Sequence, residues 1–224
     1  MGEAAQIQFD AIPSFLGAPV ADLEDLTCGQ VALAGYFCDN LDRPAPGQRY
    51  LARQLRYASR PEMTTANAID LGDVNVFPLE TAKHFSAVQS QCAAVLKTAA
   101  RLVLIGGDSS GLTALSVAAR NVCGADVSVV SVTENIVGNL QRQQPIILSV
   151  DLQALGGIWV SNPQRLTGLS PAQMIAQINA APGNIIGAAL FGLAPALDNR
   201  GRTESRAALA ILQAVAERLA KGER

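Results

Sequence analysis

Short apolar runs bounded by turn residues alternate along this chain with longer stretches whose apolar positions recur every three or four residues. The runs read as strands buried on both faces and the periodic stretches as helices that cover them. The pattern therefore predicts an α/β fold, a three-layer α/β/α sandwich around a mainly parallel sheet. Strands are expected over 12–20, 68–74, 102–106, 127–132, 146–152 and 185–193. Helices are expected over 46–57, 81–99 and 110–122. A further helix opens with Ser170 as N-cap and Pro171 at its first position, and a last one is capped by Thr203. The segment 27–46, with two glycines and two prolines, reads as a surface excursion. No repeat, low-complexity tract or boundary interrupts the pattern, so 1–224 is expected to form a single domain.

Composition sharpens this picture. The chain is 49% hydrophobic and only 16% charged, which leaves little solvated surface and points to apolar area covered by other subunits. A homo-oligomer is expected. With one histidine, His84, sites built from several imidazoles are excluded. A net charge of -2 with three lysines offers no basic stripe, which argues against nucleic acid as a partner. Cys28, Cys38, Cys92 and Cys123 show no metal-binding or redox spacing and read as free thiols of a reducing cytoplasm. The N-terminus lacks the features of a signal peptide, and no apolar run is long enough to span a bilayer, so no membrane association is expected.

In a sheet wound this way, ligands bind beyond the carboxyl ends of the strands. The residues there are Gly17-Ala18-Pro19, Gly72-Asp73, Gly106-Gly107-Asp108-Ser109-Ser110, Thr133-Glu134-Asn135, Asp151-Leu152-Gln153 and Gly192. Gly107 to Gly111 also fits Gly-x-Ser-x-Gly between a strand and a helix, the context of a nucleophile elbow at Ser109. His84 precedes that serine, whereas the usual hydrolase order places the base after it, which weighs against the elbow. His84 itself reads as a surface or helix-packing residue away from every strand end. Arg49, Arg53 and Arg56 share one helical face that reads as solvated, with an anion-binding face as the alternative.

Taken in order, these segments resemble the arginase and agmatinase family of ureohydrolases. The resemblance rests on Phe15-Leu16-Gly17-Ala18-Pro19, Arg43-Pro44-Ala45-Pro46-Gly47, Arg56-Tyr57-Ala58-Ser59 and Asp70-Leu71-Gly72-Asp73-Val74. It continues through Gly106-Gly107-Asp108, Leu148-Ser149-Val150-Asp151 and Ala194-Pro195-Ala196-Leu197-Asp198. It implies an arginase-like fold, a trimer or hexamer, and in the family two manganese ions at the strand ends. The departures are as informative. Where the family has metal-binding histidines, this chain has Ser109 and Asn135. Where it has further carboxylates, this chain has Thr133, Val137 and Gln153, and Gly192 stands at the family's glutamate near the guanidinium group.

By this resemblance Asp151 alone remains of six ligands, so no metal and no other cofactor is expected. A dinuclear centre needs several hard anionic ligands, and without it no bound water is brought to a pKa near 7. Two readings stay open. One is a catalytically degenerate binding, regulatory or assembly subunit, with a protein partner possible. The other is an enzyme of metal-independent chemistry on a small polar substrate, with Glu134 and Asp151 as acid and base. Ser109, Asp108, Thr133, Asn135 and Gln153 would line the pocket in either case. Trp159 would wall an apolar pocket or cover a subunit interface.

Overall fold

A computed structural model describes residues 13–39, 47–63, 65, 67–77, 79–124, 126–132, 144–156, 168–181, 183–198 and 202–222. Six strands, β1 (Val31–Gly35), β2 (Ala68–Asp73), β3 (Arg101–Ile105), β4 (Ser128–Ser131), β5 (Pro145–Asp151) and β6 (Asn184–Phe191), form one sheet in the order β2-β1-β3-β6-β5-β4. Every ladder in it is parallel. Among the described residues five α-helices cover it: α1 (Leu51–Ala58), α2 (Thr81–Lys97), α3 (Ser110–Cys123), α4 (Pro171–Ala180) and α5 (Thr203–Ala220).

The layers follow from side-chain alternation. In β1 and β3, Val31, Leu33, Val103 and Ile105 join the core shared with α1, α4 and α5, while Ala32, Ala34, Leu102 and Leu104 face α2 and α3. Central strands are therefore continuous apolar runs, as in parallel sheets covered on both sides. The edge strand β4, half-buried and exposed at alternate positions, is a partly covered one.

Two expectations at the N-terminal end are corrected. No strand forms over the described part of 12–20. Phe15–Gly17 is a single 3-10 turn with Leu16 at φ 54°, and Val20 contributes one isolated bridge to Asp70. The first strand lies instead at Val31–Gly35, inside the segment read as a surface excursion, and all five of its residues are buried. Phe15 and Leu16 are buried without joining a ladder, because Phe15 packs its ring under the Arg56 guanidinium, 4.0 Å away.

The expected helix over 46–57 is a 3-10 turn, Gln48–Tyr50, followed by α1. Its three arginines do not share one solvated face: Arg53 lies over the Tyr57 ring, whereas Arg56 turns inward. Helix α4 starts as its sequence predicts, with Ser170 and Gln173 in a reciprocal capping box and Pro171 at the first position. Helix α5 begins at Thr203, but Thr203 is not its cap. The Asp198 carboxylate accepts the Ser205 amide at 2.9 Å and the Glu204 amide at 3.3 Å, placing a negative charge at the positive end of the helix.

Candidate functional site

Parallel pairing brings the carboxyl ends of neighbouring strands level: Gly35 faces Ile105, Ile105 faces Leu190, and Phe191 faces Asp151. The loops leaving them therefore meet. Gly106 donates to the Leu190 carbonyl at 2.8 Å, Asp108 to the Cys38 carbonyl at 2.9 Å, and Gly192 to the Gly107 carbonyl at 3.4 Å. This pole collects four of the predicted site residues: Asp108 and Ser109 after β3, and Asp151 and Gln153 after β5. Thr133, Glu134, Asn135 and Trp159 lie outside the described residues.

Each of the four is held by its surroundings. Asp151 Oδ1 accepts the Gln153 amide at 2.9 Å, fixing the turn that follows β5. Gly192 has φ +93°, and a Cβ there would strike the same Asp151 oxygen. Asp108, 3% exposed, accepts the Ser110 amide at 3.0 Å and the Ser110 hydroxyl, so it ties down the start of α3. Ser109 sits at φ -67°, ψ -9°, an ordinary right-handed helical conformation and not the strained turn that presents a nucleophile.

Behind this pole runs a line of buried polar groups. The Phe77 amide donates to His84 Nδ1 at 3.2 Å, so in the neutral ring the proton sits on Nε2. Nε2 then donates to Tyr36 Oη at 2.7 Å, Tyr36 Oη–H to Ser110 Oγ at 2.6 Å, and Ser110 Oγ–H to Asp108 Oδ1. All the side chains of this relay are buried, and every proton in it points toward the carboxylate. Burial pushes the Tyr36 phenol far above its ordinary value, against the pull of its hydrogen bond to Ser110, with Cys38 and Asp108 adding to the rise. His84 corrects the sequence reading. It is 1% exposed and packs against Tyr36, the residue that follows β1, so it does stand beside a strand end. With both ring nitrogens engaged by Phe77 and Tyr36, it is not placed as a base for Ser109.

Burial lowers the His84 pKa, partly offset by Asp108, and protonating Nδ1 would set it against the Phe77 N–H. On acidification the unfolded chain takes up this proton first, so His84 adds to stability above about pH 6.5 and the contribution is lost as pH falls toward the lower folded value. We expect the unfolding free energy to drop between about pH 7.5 and 5.5 with a slope of up to roughly 1.4 kcal/mol per pH unit from this group. Urea titrations of His84→Asn should show a shallower fall. Parallel pH curves for the two proteins would remove His84 from the account.

A second cluster lies at the β1–β2 side. Arg56, with its side chain 12% exposed, donates Nε to Asp70 Oδ2 and Nη2 to Asp70 Oδ1, both at 2.9 Å, and Nη1 to Asp73 Oδ1 at 2.5 Å. Burial opposes its charge, but the hydrogen bonds and charges of Asp70 and Asp73 outweigh burial and raise its pKa. Asp70 also accepts the amides of Phe15 and Gly72, which makes this cluster a buried latch between the N-terminal turn, α1 and β2.

Sequence reasoning missed Tyr36 altogether, and it missed the roles of Ser110 in the relay and of Asp70 and Arg56 in the latch. The usable signal was the four-residue apolar run Val31–Ala34 before Gly35-Tyr36, short but flanked by Gly29 and Gly35, which is what a buried parallel strand looks like.

Among the described residues no group of three or more His, Cys, Asp or Glu is placed to hold a metal ion, and no helix is long and apolar enough to cross a membrane. The donors described at the strand ends do not fit a dinuclear metal centre. Asp151 is engaged by its own turn, Asp108 caps α3, and Gly192 supplies no side chain.

Residues 29–132 match the model of the arginase family. Among the most similar solved structures is a hypothetical agmatinase from Burkholderia thailandensis, with a TM-score of 0.77 at 17% identity, covering 95% of this chain and 92% of that one. The proclavaminate amidino hydrolase of Streptomyces clavuligerus gives 0.75 at 17% identity over 94% of this chain and 98% of that one. The arginase of Medicago truncatula gives 0.72 at 12% identity over 85% and 87%. No curated protein matches the chain in sequence. The chain thus matches the arginase family in sequence over β1 to β4, and the arginase-like ureohydrolase fold extends over the rest of the sheet.

Proposed function

We propose that this chain is a catalytically degenerate ureohydrolase-fold protein. It lacks manganese chemistry and uses the strand-end pole to hold a small polar molecule, as a binding, regulatory or assembly subunit of a cytoplasmic homo-oligomer. The observation that carries this reading is the packing at Gly192. The position where the resembling family places a glutamate has φ +93°, and the space a side chain would need is taken by the Asp151 carboxylate, itself bonded to the Gln153 amide. With Ser109 in place of an imidazole, the described donors are a hydroxyl, an amide side chain and two carboxylates already committed to local turns. Such a set suits hydrogen bonding to a polar ligand better than neutralising two divalent ions. Apolar side chains left exposed on the single chain, Tyr57, Leu79 and Leu197 among them, support assembly into an oligomer.

A second reading keeps catalysis. It draws on the relay from His84 through Tyr36 and Ser110 to Asp108, which can pass a proton toward the pole, with Glu134 and Asp151 as acid and base on a small polar substrate.

Metal analysis tests the proposal. After incubation with excess manganese and dialysis, the protein is expected to retain well under one ion per chain and to release no urea from arginine or agmatine. Retention of about two manganese per chain with urea release would overturn it.

A further inference from the structure

A groove of about 450 Å³ lies between α1 and α5, and none of the strand-end residues lines it. Its walls carry Arg60, Arg202 and Arg206 and no acidic residue, in a protein whose net charge is -2. Arg60 reaches Glu62 at 3.9 Å on the exposed rim, while Arg202 and Arg206 make no ion pair among the described residues. Gln54 on the same wall has a buried side-chain Nε2 with no hydrogen-bond partner. The neighbouring polar side chains are already engaged: Ser59 Oγ with the Leu55 carbonyl, Ser205 Oγ with Asp198, and Gln213 Nε2 with Glu217. The groove thus presents unused donors on Arg202, Arg206 and Gln54 Nε2, with Arg60 on its rim.

We propose that this groove binds a small molecule bearing a phosphate or pyrophosphate group. Arg60, Arg202 and Arg206 hold the anion, Gln54 Nε2 supplies a further donor, and the organic part rests on Tyr57, Met63 and Leu209. Guanidinium forks match phosphate oxygens in pairs, and three of them with one distant carboxylate, Glu62 on the rim, call for more negative charge than a single carboxylate carries. A buried donor without a partner is satisfied by a ligand oxygen. The volume lies within the range of ordinary small-molecule sites. A nucleic-acid strand fits less well, because three arginines in one groove of a protein with net charge -2 do not make an extended basic stripe. The site is independent of the strand-end pole, so its failure would leave the proposed function untouched.

Calorimetric titration of the full chain with sodium pyrophosphate tests this, with citrate as a polycarboxylate control. Saturable pyrophosphate binding is expected. It should weaken by about tenfold in Arg206→Gln and fall below detection in the Arg60→Gln/Arg206→Gln double variant, with citrate binding far more weakly. Arg202→Asn, which keeps a residue tolerant of the left-handed backbone found there, should weaken it as well. These substitutions lie on exposed side chains, and an unchanged thermal transition shows that the variants are folded. The proposal is overturned by absence of saturation, by equal binding in the double variant, or by citrate binding as tight as pyrophosphate. It is equally overturned by an oligonucleotide that outcompetes pyrophosphate, or by arginine variants that only dissociate the oligomer, which would make the groove a subunit interface.

Discussion

Replacing Arg56 by alanine is expected to cost about 3–5 kcal/mol of folding stability, a large share of the roughly 5–15 kcal/mol that holds a typical domain together. The reason is Asp70. Its side chain is 1% exposed, and the Arg56 fork supplies two of its four hydrogen bonds and its counter-charge. Truncating the arginine leaves a carboxylate in the core with two amide donors and no cation, and it also removes the face that covers the Phe15 ring. Arg56→Lys should recover only part of the loss, since an ammonium cannot span both Asp70 oxygens, Asp73 and the Gly72 carbonyl at once. Arg56→Met with Asp70→Asn should be less damaging than Arg56→Ala alone, because no buried charge is then stranded. Urea unfolding of the four proteins measures this. A loss below about 1 kcal/mol in Arg56→Ala would show that the latch is no stronger than a surface pair.

A comparable effect is expected from Gly107→Ala. This glycine has φ +68°, and an added Cβ would lie 2.5 Å from the Cys38 carbonyl and 2.6 Å from the Tyr36 ring. Neither neighbour can give way: the Cys38 carbonyl accepts the Asp108 amide, and Tyr36 is fixed at its hydroxyl by His84 and Ser110. Left-handed strain of about 1–2 kcal/mol adds to an overpacking cost of about 1–3 kcal/mol. Gly124→Ala separates the two contributions, since that residue has φ +59° with nothing within 4 Å and should pay the strain alone. Equal stability losses in the two alanine variants would refute the clash.

The contrast between these sites explains what could be read from the residues. The strands over 68–74, 102–106, 127–132, 146–152 and 185–193 appear close to where the apolar runs put them, because a strand buried on both faces leaves an unbroken apolar signature. Strand β1 escaped it. Val-Ala-Leu-Ala-Gly is small and short, while Phe15-Leu16 upstream looks more strand-like yet is buried through a cation–π stack and a 3-10 turn. The pole was legible at Asp108, Ser109, Asp151, Gln153 and Gly192, since strand ends can be counted off the pattern. The partners Tyr36 and His84 were not. They come from a strand that was missed and a helix 48 positions away, and only the tertiary fold sets a phenol against an imidazole.

The order of the strands also bears on how the chain is made. Of the described strands, the last in the sequence, β6, is not at an edge but between β3 and β5. Until its residues are released, β2-β1-β3 and β5-β4 are two separate half-sheets, each with an apolar strand edge waiting for the same partner. The nascent protein therefore carries one sticky edge once β3 is made and two between the release of β5 and that of β6, the condition in which unfinished chains misassociate and in which shielding by chaperones matters most.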